Sequence, residues 1–199
     1  MLEIISGEEL EVRGMPGIDA LVCPATVVSP TPSLPHGYML GGWPALFAKT
    51  YPPFASEYYE WCKDGERVVG DVFVWSTPPT KFASDMPRVL VNLPIARVLG
   101  DVITLLDIKK ALVSLHDVIR THKLTSIAIP ALGHGSIGGP DWLDDTLPAF
   151  VSWAIRAGYH QREDFRLILA GPIYTNGTRM ERARALAATA GFGRAMKIA

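Results

Sequence analysis

Cysteine is scarce in this 199-residue chain: Cys23 and Cys62 alone, with no metal-ligand spacing around either. Their unrelated contexts favour two buried apolar side chains over a disulfide. No run approaches the ~18–20 apolar residues of a membrane span. The start, Met1-Leu2-Glu3-Ile4-Ile5-Ser6-Gly7-Glu8-Glu9, is acidic and has neither the basic nor the long apolar region of a signal peptide. A surplus of one charge is also missing: 19 basic residues face 20 acidic ones, for a formal net charge of −1. That removes a global electrostatic drive toward nucleic acid, while a local patch stays allowed. There is no internal repeat and no low-complexity tract. A cytoplasmic protein with no membrane segment, no structural metal and no cofactor is expected.

What the chain has in plenty is proline and glycine, 16 and 18 residues. That is roughly a sixth of the chain, where average usage gives about an eighth. Without a collagen period, these residues are punctuation inside a fold, and they exclude a helical bundle. With 48% apolar and 20% charged residues, the length suits one domain, or one plus an appendage.

Short apolar runs alternate with segments of helical period. Ala20–Cys23 (closed by Pro24), Asp71–Trp75, Val89–Leu93 (closed by Pro94), Ser126–Ile129 (closed by Pro130) and Leu167–Ala170 (closed by Gly171-Pro172) read as strands covered on both faces, with Leu2–Ile5 as an edge strand. Asp107–His122 carries Ile108, Ala111, Leu112, Leu115, Val118 and Ile119 on one helical stripe. Pro44–Lys63 reads as one or two helices interrupted at Pro52-Pro53. A further helix starts near Pro148 and runs to Gly158. Thr178-Arg179-Met180-Glu181 has the pattern of a capping box that opens a last helix through about Ala190. The alternation predicts a three-layer α/β fold with a mixed or mainly parallel sheet. Val27–Tyr38, aperiodic and rich in Pro and Ser, reads as a surface loop, either a plain connection or a lid beside a site.

The strongest local signal is Ile129-Pro130-Ala131-Leu132-Gly133-His134-Gly135-Ser136-Ile137-Gly138-Gly139-Pro140-Asp141-Trp142. A strand feeds a glycine cluster, and a helix follows. Glycines let backbone N–H groups converge on a phosphate or diphosphate without obstruction by Cβ atoms. Gly133-x-Gly135-x-x-Gly138 also has dinucleotide-binding spacing, but it follows a late strand, and no acidic residue stands about 20 positions on. A Rossmann-type oxidoreductase is therefore disfavoured, and the Lys-Ser/Thr ending of a P-loop is absent. The bland alternative is a tight strand–helix turn.

This loop resembles the diphosphate loop of macro domains, which bind ADP-ribose. It is most similar to the branch of DNA ADP-ribosyl glycohydrolase antitoxins and the terminal ADP-ribose protein glycohydrolase. Ile5–Leu10 resembles the opening segment of that branch, Asp19–Val22 its first core strand and Ala45–Pro52 its first helix. Tyr58–Glu66 with Gly70–Val74, and Val91-Asn92-Leu93-Pro94, resemble further stretches, so that residues 3 to about 172 are covered.

The resemblance implies a macro-like α/β/α fold over 1–175, with 176–199 as a basic C-terminal helix packed on it or appended. It implies that Gly133, His134, Gly135, Ser136, Ile137, Gly138 and Gly139 wrap the diphosphate and distal ribose. Met39, Leu40, Gly41 and Gly42 would form the first ligand loop, across the distal ribose. Glu8 stands where the family often has an Asp that bonds the adenine amino group, and Asp141 matches the acidic residue that serves catalysis in the branch. An Asp opening a helix also has a purely structural use.

Two departures count against turnover. Cys23-Pro24-Ala25-Thr26 replaces the asparagines that hold the distal ribose, and Ala96 replaces the lysine that acts at C1″. Lys81 is a weak substitute, and Arg97 cannot readily be a nucleophile because a guanidinium keeps its proton. His134 and His36 are weaker candidates for proton transfer. Trp43, beside the first ligand loop, is the one tryptophan that suits base stacking as well as packing, and the arginines of 176–199 suit a solvated face or an acidic contact.

The expectation is a hydrolase that binds ADP-ribose or ADP-ribosyl groups and removes ADP-ribose from DNA or protein; the alternative is a non-catalytic reader. Nucleic acid is an allowed partner but not a required one, and the oligomeric state is open.

Overall fold

A computed structural model describes residues 1–7, 10, 17–29, 31–39, 42–63, 66–77, 86–133, 139–171 and 177–189. Its elements are β1 (Leu2–Ile5), β2 (Ala20–Thr26), α1 (Gly42–Thr50), α2 (Pro52–Lys63), β3 (Phe73–Ser76), β4 (Val89–Ala96), α3 (Leu105–Thr121), β5 (Ser126–Ile129), α4 (Leu147–Arg156), β6 (Arg166–Ala170) and α5 (Gly177–Ala187). A π-type turn, Trp142–Thr146, leads into α4.

The strands form one six-stranded sheet in the order β1-β6-β5-β2-β4-β3. Every pairing is parallel except that of β3 with β4. Because side chains alternate across a strand, Leu21, Cys23 and Ala25 of β2 meet α1 and α2, in a core with Phe47, Phe54 and Tyr58. Ala20 and Val22 face the other way, toward Ile108, Leu112 and Leu115 of α3 and Phe150 of α4. This gives the three layers. Ala183 of α5 is fully buried in the second core, and Arg184 Nε donates to the Ile4 carbonyl, which packs α5 on β1.

Two proline assignments are corrected. Pro24 and Pro94 lie inside their strands, which run on to Thr26 and Ala96. The Val89 N–H donates to the Asp19 carbonyl, and the even spacing of a parallel ladder then aims the odd-numbered β2 groups at β4 and the even-numbered ones toward β5. β2 pairs with β5 only at Ala20 and Leu21, so the missing N–H of Pro24 faces a side already without a partner. The missing N–H of Pro94 faces the β3 side beyond Phe73, where its carbonyl accepts from the Gly70 N–H. Each proline sits where a strand tolerates one.

Other boundaries move slightly. α3 begins at Leu105 because Thr104 and Asp107 form a reciprocal capping box. The Pro44–Lys63 segment is two helices broken at Tyr51. Both cysteines are free and buried, and burial pushes the Cys62 thiol up to about 11. Among the described residues no helix is long and apolar enough to cross a membrane.

Asp19 fastens the lower end of the central strands. Its Oδ2 accepts from the Thr125 N–H and hydroxyl, both at 2.7 Å, and from the Ser126 N–H at 3.2 Å. The Ser126 hydroxyl lies 2.7 Å from the Asp19 nitrogen and donates to the Gly17 carbonyl. Arg88, just before β4, stands 3.6 Å from Oδ1. Burial pushes the Asp19 carboxyl up, but the Thr125 and Ser126 hydrogen bonds and Arg88 outweigh it and hold the group below its ordinary 3.8. A depressed carboxyl stabilises the fold above its unfolded value and loses that contribution as pH falls through the folded one. Asp19→Asn is therefore expected to be less stable than the parent in urea at neutral pH, with the gap shrinking below about pH 4. An equal gap at both pH values contradicts this role.

Candidate functional site

β2 and β5 separate above Leu21 and Ala128. From β2 the chain moves toward β4 and β3, and from β5 it moves toward β6 and β1. The gap between them is a topological switch point, where open α/β sheets bind ligands beyond the carboxyl ends of their strands. Three segments border it: the end of β2 and its continuation to α1, the segment from β5 to α4, and the end of β4.

The β5 segment leaves the sheet through Pro130, Ala131 and Leu132, all buried, into Gly133. Gly133 has φ +76°, and a Cβ there would lie 3.1 Å from Ile108 Cδ1 and 3.4 Å from Ile103 Cγ2. The turn is thus pressed against the start of α3 in a conformation that suits glycine. His134, Gly135, Ser136, Ile137 and Gly138 lie outside the described residues. The chain re-enters at Gly139 and Pro140, both half-buried, and reaches Asp141.

Asp141 is exposed and caps the next helix: its Oδ1 accepts from the Leu143 N–H at 2.8 Å and the Asp144 N–H at 3.0 Å. Its own N–H donates to Asp145 Oδ2 at 2.9 Å. Asp144 is held by Arg182 of α5 at 2.9 Å. These bonds fix a carboxylate at the exit of the glycine segment, on a helix start whose dipole favours negative charge. The Asp145 contribution has a sequence signal, an acidic residue four positions after the cap, that the motif reading overlooked.

On the β2 side, Met39 is buried, with its side chain among the residues of the α1/α2 core, and Gly42 opens α1 with φ +51°. Leu40, Gly41 and Glu8 lie outside the described residues. Trp43 is also buried in the α1/α2 core, which corrects its reading as a stacking candidate. The Pro-rich loop is packed rather than loose: the Val27 and Val28 N–H groups both donate to the Arg97 carbonyl, and His36 Nδ1 accepts from the Ser29 N–H at 3.1 Å. His36 is therefore engaged within the loop. At the end of β4, Ala96 is buried and pairs with Thr26 after a one-residue slip in the β2–β4 register, whereas Arg97 is exposed. Lys81 lies outside the described residues.

A separate cavity of about 590 Å³ lies between α3 and α4, floored by Leu112, Ala149 and Trp153 and rimmed by Lys109 and Arg156. It belongs to the outer helical layer and not to the strand-end crevice. His116, at its edge, is half-buried, with Nδ1 2.6 Å from the Tyr159 hydroxyl.

No family model matches the chain. The DNA ADP-ribosyl glycohydrolase of Mycobacterium tuberculosis (strain ATCC 25618 / H37Rv) is 34% identical over 108 residues, 54% of this chain and 29% of that protein. The chain thus spans under a third of the length of that curated relative. Among solved structures, the macrodomain of Mycobacterium tuberculosis DarG superposes with a TM-score of 0.67 at 28% identity, covering 84% of this chain and 96% of that one. Thermosipho africanus DarTG in complex with ADP-ribose gives 0.63 at 16% identity, over 80% of this chain and 39% of that one. The fold is that of macrodomains, and the sequence resemblance to the DNA ADP-ribosyl glycohydrolase branch is matched by these relatives.

Gly133 and Gly158 share a left-handed conformation, but a Cβ at Gly158 meets nothing within 4 Å. Backbone strain alone costs about 1–2 kcal/mol. Gly133→Ala is expected to destabilise the chain more than Gly158→Ala in urea unfolding; the reverse order contradicts the packed-turn account.

Proposed function

We propose that this macrodomain-fold protein binds ADP-ribose in the β2/β5 crevice and removes ADP-ribosyl groups from a modified macromolecule, DNA or protein. The observation that carries the reading is the glycine segment leaving β5 at the switch point, in a chain 28% identical to the DarG macrodomain over nearly all of the latter. Gly133 to Gly139 supply backbone N–H donors for the diphosphate. Met39 to Gly42 close over the distal ribose from the α1 side, and Glu8 takes the adenine amino group.

Hydrolysis breaks the bond between C1″ and the macromolecule. Water supplies the hydroxyl that C1″ gains and the proton that the leaving group gains. In this reading Asp141 orients that water or takes its proton, while the glycine segment positions the diphosphate. A second reading, a reader without turnover, is favoured by one observation: Ala96 fills a buried strand end where the branch has its lysine.

Calorimetry with ADP-ribose, AMP and NAD tests the binding. Saturable ADP-ribose binding below millimolar ligand is expected, and its absence removes both readings. Incubation with ADP-ribosylated DNA and with ADP-ribosylated protein then separates enzyme from reader. Two substitutions isolate Asp141. Asn caps a helix about as well as Asp, whereas Ala costs about 1 kcal/mol. Asp141→Asn is expected to keep stability and ADP-ribose binding but lose turnover; full turnover in Asp141→Asn reduces Asp141 to a cap.

A further inference from the structure

The cavity between α3 and α4 lies outside the strand-end crevice and has a lining of its own. Leu112, Ala149 and Trp153 form its apolar floor. The Trp153 indole nitrogen is buried and has no hydrogen-bond partner, so the part of the ring that meets the cavity is carbon. Val113, on the α3 wall, is 62% exposed, an apolar side chain left in water. The volume of about 590 Å³ falls within the range of small-molecule sites.

The charges around this floor are sorted along α4. Asp144 and Asp145 stand at the start of the helix and are already engaged, by Arg182 at 2.9 Å and by the Asp141 N–H at 2.9 Å. Arg156 lines the other end, about 12 Å along the helix axis from Pro148. Lys109 lines the α3 side. Neither cation has an ion-pair partner among the described residues. His116 adds a third donor on the α3 wall. Its Nδ1 lies 2.6 Å from the Tyr159 hydroxyl, and burial pushes that phenol up to about 12. A phenol that keeps its proton donates it to Nδ1, and in that tautomer Nε2 carries the ring hydrogen.

The unpaired charge is therefore positive, and the acids at the far end turn an anion away from themselves. The carbonyl end of α4 opposes an anion by about half a charge, which Arg156 and Lys109 together outweigh. We propose that this cavity is a second binding site, for a small apolar acid: an aromatic or aliphatic body lies on Leu112, Ala149 and Trp153, and its single carboxylate faces Arg156 and Lys109. The site neither overlaps the crevice nor depends on the ADP-ribose reading.

Backbone NMR of the intact chain, titrated with naphthoate and with its neutral counterpart naphthalenemethanol, tests the proposal. Saturable shifts at Lys109, Val113, His116 and Arg156, and at the Trp153 indole N–H, are expected below millimolar naphthoate. The neutral probe is expected to bind at least roughly threefold more weakly, the worth of one partly exposed charge contact. Arg156→Gln is expected to weaken naphthoate roughly threefold and to leave the neutral probe as in the parent. Ser152 lines the cavity from an exposed position, so Ser152→Trp is expected to exclude both probes at a melting temperature close to the parent value. Equal affinity for the two probes removes the charge argument and with it the proposal. Shifts centred on Gly42 and Gly133, binding that survives Ser152→Trp, or no binding at all overturn it too. Concentration-dependent shifts at the same residues without any probe assign the face to a second copy of the chain and likewise overturn it.

Discussion

The structure depends on one seam, the short pairing of β2 with β5. Two registered pairs, Ala20 with Ile127 and Leu21 with Ala128, join these central strands. Below them the Asp19 carboxylate closes the seam with hydrogen bonds to Thr125 and Ser126 and faces Arg88 on the β4 side. Above them the strands part, because the chain turns to opposite sides of the sheet after each. A continuous ladder would leave no crevice, and an unfastened one would not hold the two halves of the sheet together. The fastening is thus at one end of the strands and the open crevice at the other.

The crevice has walls of different construction. On the β5 side the backbone is set by glycine at Gly133, wedged against Ile103 and Ile108, and by the Asp141 and Asp145 caps that start the next helix. On the β2 side, an otherwise irregular segment is laid onto the aromatic turn of α2. Both arrangements present a backbone surface fixed by contacts from outside the crevice, which suits recognition through N–H groups more than through side chains. The end of β4 contributes little chemistry, since Ala96 offers only a methyl group.

Much of this was legible in the sequence. All six strands were marked by short apolar runs, the edge strand Leu2–Ile5 included, and the glycine cluster after β5 marked the rim of the sheet. Proline held as a stop signal after β5, which ends at Ile129 just before Pro130, but failed in β2 and β4. Pro24 and Pro94 are interior to their strands because their missing donors face sides where no partner strand continues, and that depends on neighbours far away in sequence. Trp43 was misjudged for a similar reason: its nearness in sequence to the ligand loop says nothing of which face α1 buries. The contact of the Pro-rich segment with α2 was also invisible, since the Tyr58 hydroxyl reaches the Thr26 carbonyl 32 positions away and the Tyr38 ring packs on that of Tyr59 with no shared period. Asp141 was found by its motif, but its capping bonds appear only in three dimensions.

The central claim is that ADP-ribose binding occurs in the β2/β5 crevice and not in the cavity between α3 and α4. Backbone NMR of the intact chain titrated with ADP-ribose tests it most directly. The account predicts shift changes concentrated at Gly42, Gly133, Gly139 and Asp141, with the Asp19 and Thr125 amides at the closed end of the seam unmoved. Changes centred instead on Lys109, Trp153 and Arg156 would contradict it.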